Sequence, residues 1–115
     1  MHLQQVCMTA MAFSAARGGA IEMTQGFSMR PVVIRPLRGG NETEIYVEQD
    51  NQAAGSWYVG LRETKPLALR PPVYFPAVNT QEALLDALTK AWEFHRETRP
   101  PEPFLTRFVE PPPFL

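Results

Sequence analysis

The chain has a single cysteine, Cys7, in 115 residues. That excludes an intrachain disulfide and a cysteine metal cluster, and it fits a reducing cytoplasm. Charge of one sign is also lacking: 11 Lys and Arg face 12 Asp and Glu, for a net charge of −1. Charge alone therefore implies no polyanion partner. No run reaches the about eighteen apolar residues of a membrane-spanning helix. The mildly apolar start has no Lys/Arg-rich flank and includes Gln4, Gln5 and Thr9, which argues against a signal peptide. HExxH, paired CxxC, P-loop and GxGxxG patterns are all missing, so no catalytic class and no cofactor is indicated.

What is present reads as one small domain. Three strand-like runs, 43–49, 56–63 and 73–75, alternate apolar and polar side chains. With period 2, Ile45, Val47, Trp57, Val59, Leu61, Val73 and Phe75 share one face, and Tyr46, Tyr58 and Tyr74, the only tyrosines, share the other. A first strand is expected over 31–38 from Val32, Val33 and Ile34. Pro31 and Pro36 bracket it and cannot donate ladder bonds, which predicts an edge position. A turn is expected at 39–41 and an irregular, proline-containing connection over 64–72. The second and third runs form a hairpin, with Glu48 opposite Ser56, Val47 opposite Trp57, Tyr46 opposite Tyr58, and Glu42 near Arg62; a one-residue slip would scramble the faces.

Residues 79–97 carry the clearest helical period. Asn79 and Glu82 suit a capping box. Leu84, Leu85, Ala87, Leu88, Ala91, Trp92 and Phe94 fall on one broad side, with Glu82, Asp86, Lys90, Glu93 and Glu97 on the other. Pro100 and Pro101 stop the helix. The expected fold is α+β: an antiparallel sheet of three to four strands packed on one long C-terminal helix over 30–99. A flexible leader over 1–29, carrying a short helix over 8–17 that Arg17-Gly18-Gly19 breaks, and an extended Pro/Phe-rich tail over 100–115 flank it. All five methionines lie in that leader, so a product starting at Met23 or Met29 is one reading of it. The apolar side chains between 31 and 97 make a small core, which favours docked termini or a homodimer.

Chemistry-bearing residues are sparse. His95, on the apolar side of the helix, is either a base or pH switch or a helix-end histidine near the terminal carbonyls. Glu42, Glu44, Glu48 and Asp50 cluster on the hairpin, but a flat strand lacks the converging oxygens a hard cation needs. Glu63 sits with Glu44 and Glu48 near the tyrosines. Arg30, Arg35 and Arg38 form a short basic run, read as phosphate contacts or as charge protecting an edge. The tyrosine face itself suits a protein interface, base stacking, or a surface covered by another part of the chain.

The order of strands followed by one helix over about 42–97 resembles that of integrase-type AP2 DNA-binding domains, which implies DNA contact through the sheet. It is also similar to the strand-strand-strand-helix end of double-stranded-RNA-binding domains. Their last helix opens with a lysine-rich clamp, whereas this chain reads Thr80-Gln81-Glu82-Ala83. The expectation is a non-enzymatic, cytoplasmic protein–protein interaction module whose size and motif poverty suit a bacterial or phage protein. Its partner-binding surface would be Tyr46, Tyr58, Tyr74, Glu44, Glu48 and Arg62, with Phe104 and Phe108 of the tail. The alternative is a nucleic-acid accessory protein using the same face with Arg30, Arg35 and Arg38. No metal, cofactor or membrane contact is expected.

Overall fold

Alternating apolar side chains from 45 to 61 build the centre of the fold. Glu42–Gln49 (β3) and Trp57–Lys65 (β4) pair antiparallel, with Ile45 opposite Leu61 and Val47 opposite Val59. The structure, a computed structural model, describes residues 1–24, 28–36, 42–65 and 72–98, less the side chains of 42, 64, 65 and 95–98. The expected turn at 39–41, most of the 64–72 connection and the tail lie outside the described residues. Arg38, Phe104, Phe108 and the His95 side chain are among those left out.

The sheet has five strands, not three or four, in the sequential order β1-β2-β3-β4-β5. The others are Ala20–Met23 (β1), Val32–Arg35 (β2) and Val73–Tyr74 (β5), and every neighbouring pair is antiparallel. The strand expected at an edge, β2, is internal. Its prolines lie just outside the paired residues, and Pro31 takes part only as an acceptor, its carbonyl receiving the Thr24 N–H at 2.9 Å. Proline lacks a donor, not an acceptor, so pairing with β1 is unhindered.

The hairpin register differs by two residues from the expected one. Tyr46 faces Gly60, Glu48 faces Tyr58, and Glu44, not Glu42, faces Arg62. A two-residue shift preserves both faces, which is why apolar patterning cannot exclude it. The loop is set locally: the Gln52 N–H donates to Asp50 Oδ1 at 2.9 Å, and Gly55 takes φ 80°.

In the leader the expected short helix over 8–17 starts earlier and is longer, running over Leu3–Arg17 (α1). The His2 N–H donates to Gln5 Oε1 at 2.9 Å at its start, and Gly18 ends it in the left-handed region at φ 76°. Val6, Ala10 and Phe13 are buried on its inner side. Gln81–Thr98 (α2) starts after Thr80, whose Oγ1 accepts the Ala83 N–H at 3.1 Å, so the cap is Thr80 rather than Asn79. Val78 is still held extended by paired backbone bonds with Trp57, each 2.8 Å, which delays the helix start.

Both helices pack on one face of the sheet, α1 against β1 and β2, α2 against β3 and β4. Val32, Ile34, Ile45, Val47, Trp57, Val59 and Leu61 meet Leu84, Ala87, Leu88, Ala91 and Trp92 there. Phe13 and Trp92 join the two helices edge to face, centroids 5.7 Å apart. Among the described residues no helix is long and apolar enough to cross a membrane.

Candidate functional site

The second face of the sheet is covered by neither helix, and it carries the tyrosines. Strand alternation puts Tyr46 there, yet Tyr46 is fully buried while Tyr74 on the same face is 45% exposed. Gly60 explains the difference. It lies directly opposite Tyr46 and offers no side chain, so the ring lies over the strand: an ideal Cβ on Gly60 would be 2.5 Å from Tyr46 Cε1 and Cζ.

Two arginines close over what the glycine admits. The Arg30 guanidinium stands 4.4 Å from the Tyr46 ring centroid and that of Arg62 5.2 Å. Each such contact contributes on the order of 0.5–2 kcal/mol, more as water is excluded. The expected Tyr46–Tyr58 pair is thus replaced by an Arg30–Tyr46–Arg62 stack. Tyr74 bridges instead, packing edge to face with Tyr46 at 5.9 Å and with Tyr58 at 6.3 Å.

Hydrogen bonds order this cluster. Tyr46 Oη donates to Tyr74 Oη at 3.0 Å, and Tyr74 Oη donates to Glu48 Oε1 at 3.1 Å. Arg30 Nε donates to the same Glu48 oxygen at 2.8 Å. One strand row further, Glu44 is buried between two guanidinium groups. Its Oε1 accepts from Arg62 Nε at 3.1 Å and Nη2 at 3.0 Å, and its Oε2 accepts from Arg35 Nη2 at 2.8 Å. Arg35 Nη1 also donates to Glu22 Oε1 at 2.8 Å. The face therefore carries Glu22, Glu44 and Glu48 against Arg30, Arg35 and Arg62, a balanced set. The hydrogen bond to Glu48 raises the Arg30 pKa, and that to Glu22 raises Arg35.

Sequence patterning names Tyr46, Tyr58, Tyr74, Glu44, Glu48 and Arg62 as one surface, and they do share this face. Arg30 and Arg35 join it as ion-pair partners. Two residues stand elsewhere. Glu63 is buried in the helix-facing row, and Asp50 is occupied in the hairpin turn. Among the described residues no cluster of three His, Cys, Asp or Glu could hold a metal ion. Gly60 and Glu22 went unrecognised as members. A glycine inside a strand is itself the signal for Gly60; Glu22 carries none, because its role depends on β1 pairing with β2.

Burial raises the Tyr46 pKa, assisted by its hydrogen bond to Tyr74. An unfolded tyrosine ionises near pH 10. Since the folded value lies above the unfolded one, this stabilisation is whole below about pH 10 and is lost as pH rises from there towards the folded value. Urea midpoints measured from neutral to strongly alkaline pH should fall beyond about pH 10, and Tyr46→Phe should flatten that fall. An identical alkaline decline in Tyr46→Phe would remove Tyr46 as its source.

No protein-family model, curated protein or solved structure matches this chain. The likeness to AP2 and double-stranded-RNA-binding domains thus stays one of element order, and the added α1 and β1 change that order as well.

Proposed function

We propose that the chain is a small non-enzymatic protein–protein interaction module that binds through the face of its sheet that neither helix covers. The observation that carries this reading is the preorganised aromatic patch around Tyr74. Tyr74 is exposed and Tyr58 beside it half-buried, while Tyr46, Glu48 and Arg30 fix Tyr74 from below. A rigid tyrosine gives a partner apolar area and a polar tip at little entropic cost. Tyr46, fully buried, serves as the support of this surface and not as a contact.

Ion pairing favours a protein over a nucleic acid. Phosphate contacts dominate nucleic-acid affinity, and a phosphate arriving at Arg30 or Arg35 must displace Glu48, or Glu22 and Glu44, first. The balanced charge suits a partner of mixed character, with ion pairs at the rim setting orientation.

The test compares wild type with Tyr58→Ser/Tyr74→Ser by affinity capture from source cells, with circular dichroism as the fold check. The expected result is a protein retained by wild type and lost by the double variant at unchanged helix signal. Equal retention by both would sink this surface. Binding of a single-stranded oligonucleotide at low salt, falling steeply as salt is added, would replace it with the nucleic-acid reading.

A further inference from the structure

The two edges of the sheet are built differently. At one end β5 is two residues long, with Pro72 before it and Pro76 close after it, features that blunt an edge against pairing. At the other end, β1 has four residues, Ala20-Ile21-Glu22-Met23, without proline or lysine. Its one charge is already neutralised by Arg35.

The outward groups of β1 can be assigned. The Thr24 N–H donates to Pro31 across the β1–β2 pair, and Thr24 and Pro31 continue the register of Ala20 with Arg35 and Glu22 with Val33. Inward bonding alternates along an antiparallel strand, so Ala20, Glu22 and Thr24 point their backbone groups at β2. Ile21 and Met23 point theirs at the far edge, which pairs with no other strand among the described residues.

We infer that this edge pairs with β1 of a second copy, antiparallel across a two-fold axis, to give a continuous ten-stranded sheet. A two-fold normal to the sheet keeps both helical layers on one side and allows only same-face residues to be opposite. With Ile21 opposite its own counterpart, the two copies exchange backbone bonds at that residue, and Glu22 lies opposite Ala20 of the other copy. Ala20 is the neighbour of Arg35 within each chain. Each Arg35 then faces, over a small alanine, the second copy's Glu22 as well as its own. The register shifted by two residues would instead set Glu22 against Glu22, a destabilising like-charge pair.

The helical layer fits the same axis. Thr9, on the flank of α1 towards α2, accepts a hydrogen bond from Gln81 at 3.3 Å. The flank turned away from α2 and the outer side of the helix bear Leu3, Met8 and Met11, respectively 47%, 58% and 48% exposed. Met23, on the helix-facing side of β1, is 39% exposed. Arg17 is the only charged residue in the whole helix. Two such flanks brought together over the joined strands would cover Leu3 and Met23, which the monomer leaves in water, while Met8 and Met11 on the outer side stay outside the contact. The second copy is favoured over a foreign strand because the register and the Glu22–Arg35 arrangement complement themselves. The surface is separate from the tyrosine patch, so the inference stands or falls independently of the partner-binding reading.

Light scattering on the full chain across a dilution series tests it. The expected mass is twice the 13.0 kDa of one chain. Ile21→Pro removes the outward N–H of the residue at which the two copies exchange bonds, one that β2 does not use, and should yield a monomer with an unchanged helix signal. Met23→Lys, which places a charge at the same edge without touching the backbone, should raise the dimer dissociation constant at least tenfold and guards against a folding defect in the proline variant. A wild-type monomer at every concentration overturns the inference. So does a dimer that survives Met23→Lys unchanged, since it would use another surface.

Discussion

Gly60→Ala is expected to destabilise the protein by about 2–3 kcal/mol, within the upper part of the range for overpacking a well-packed site. In an ordinary strand this exchange is favourable by roughly 0.5–1 kcal/mol, because alanine loses less backbone freedom on folding. Here the added methyl would sit 2.5 Å from two ring atoms of Tyr46 and 2.8 Å from its hydroxyl oxygen. The ring has little room to yield. Tyr46 has no exposed surface, its hydroxyl is bonded to Tyr74, and Arg30 and Arg62 stand against it. A shift that relieves the clash breaks the stack or the hydroxyl chain to Glu48. Urea unfolding of Gly60→Ala, Tyr46→Ala and the double variant forms a cycle that isolates the pair. In the Tyr46→Ala background the alanine at 60 should cost nothing or stabilise. An additive cycle would show that the close approach of ring to backbone is not what position 60 provides.

The same site marks how far the sequence could be read. Period-2 alternation was enough to sort Ile45, Val47, Trp57, Val59 and Leu61 from Tyr46, Tyr58 and Tyr74. Both faces follow from the backbone alone and survive any even shift in register. The register itself does not follow from alternation. It rests on the shape of the loop, on Asp50 turning the chain at Gln52 and on Gly55 at positive φ. Gly60 held the missing clue, since a glycine within a strand marks a place where something must come close. The pairing of Arg35 with Glu22 and Glu44 was out of reach for a different reason. It joins three strands, and β1 is only four residues with no alternating run of its own. The α2 helix was legible because its charged and apolar sides are distinct. Its first residue was not, because the Trp57–Val78 bridge that holds the preceding chain extended is a tertiary contact.

Helix α1 was legible only over its C-terminal part, 8–17, for the opposite reason: apolar residues fall on too many of its sides. Val6, Ala10 and Phe13 follow the i, i+4, i+7 spacing of a buried stripe. Met8 and Met11 on the outer side blur it, and the sole charged residue stands at the C-terminal end. Yet the core is not closed without this helix. Phe13 is 3% exposed and meets Trp92 edge to face, and Val6 and Ala10 have no exposed surface. The N-terminal residue is tied in as well: the Trp57 indole N–H donates to the Met1 carbonyl at 3.0 Å. Phe13→Ala should therefore cost about 3–4 kcal/mol, the usual range for emptying a buried aromatic site. Gln4→Ala, on the exposed side of the same helix, should stay within about 0.5 kcal/mol of wild type. A chain shortened to begin at Met23 loses the whole helix and most of β1, leaving Ile34 and Trp92 facing water. It should show no cooperative urea transition, whereas the full chain should show one, with a slope that reports the burial of both helices. A cooperative transition of equal midpoint in the shortened chain would make α1 an accessory to a core that closes without it. Loss of that transition would instead establish that β2 to β5 and α2 need the α1–β1 segment to form a stable layer.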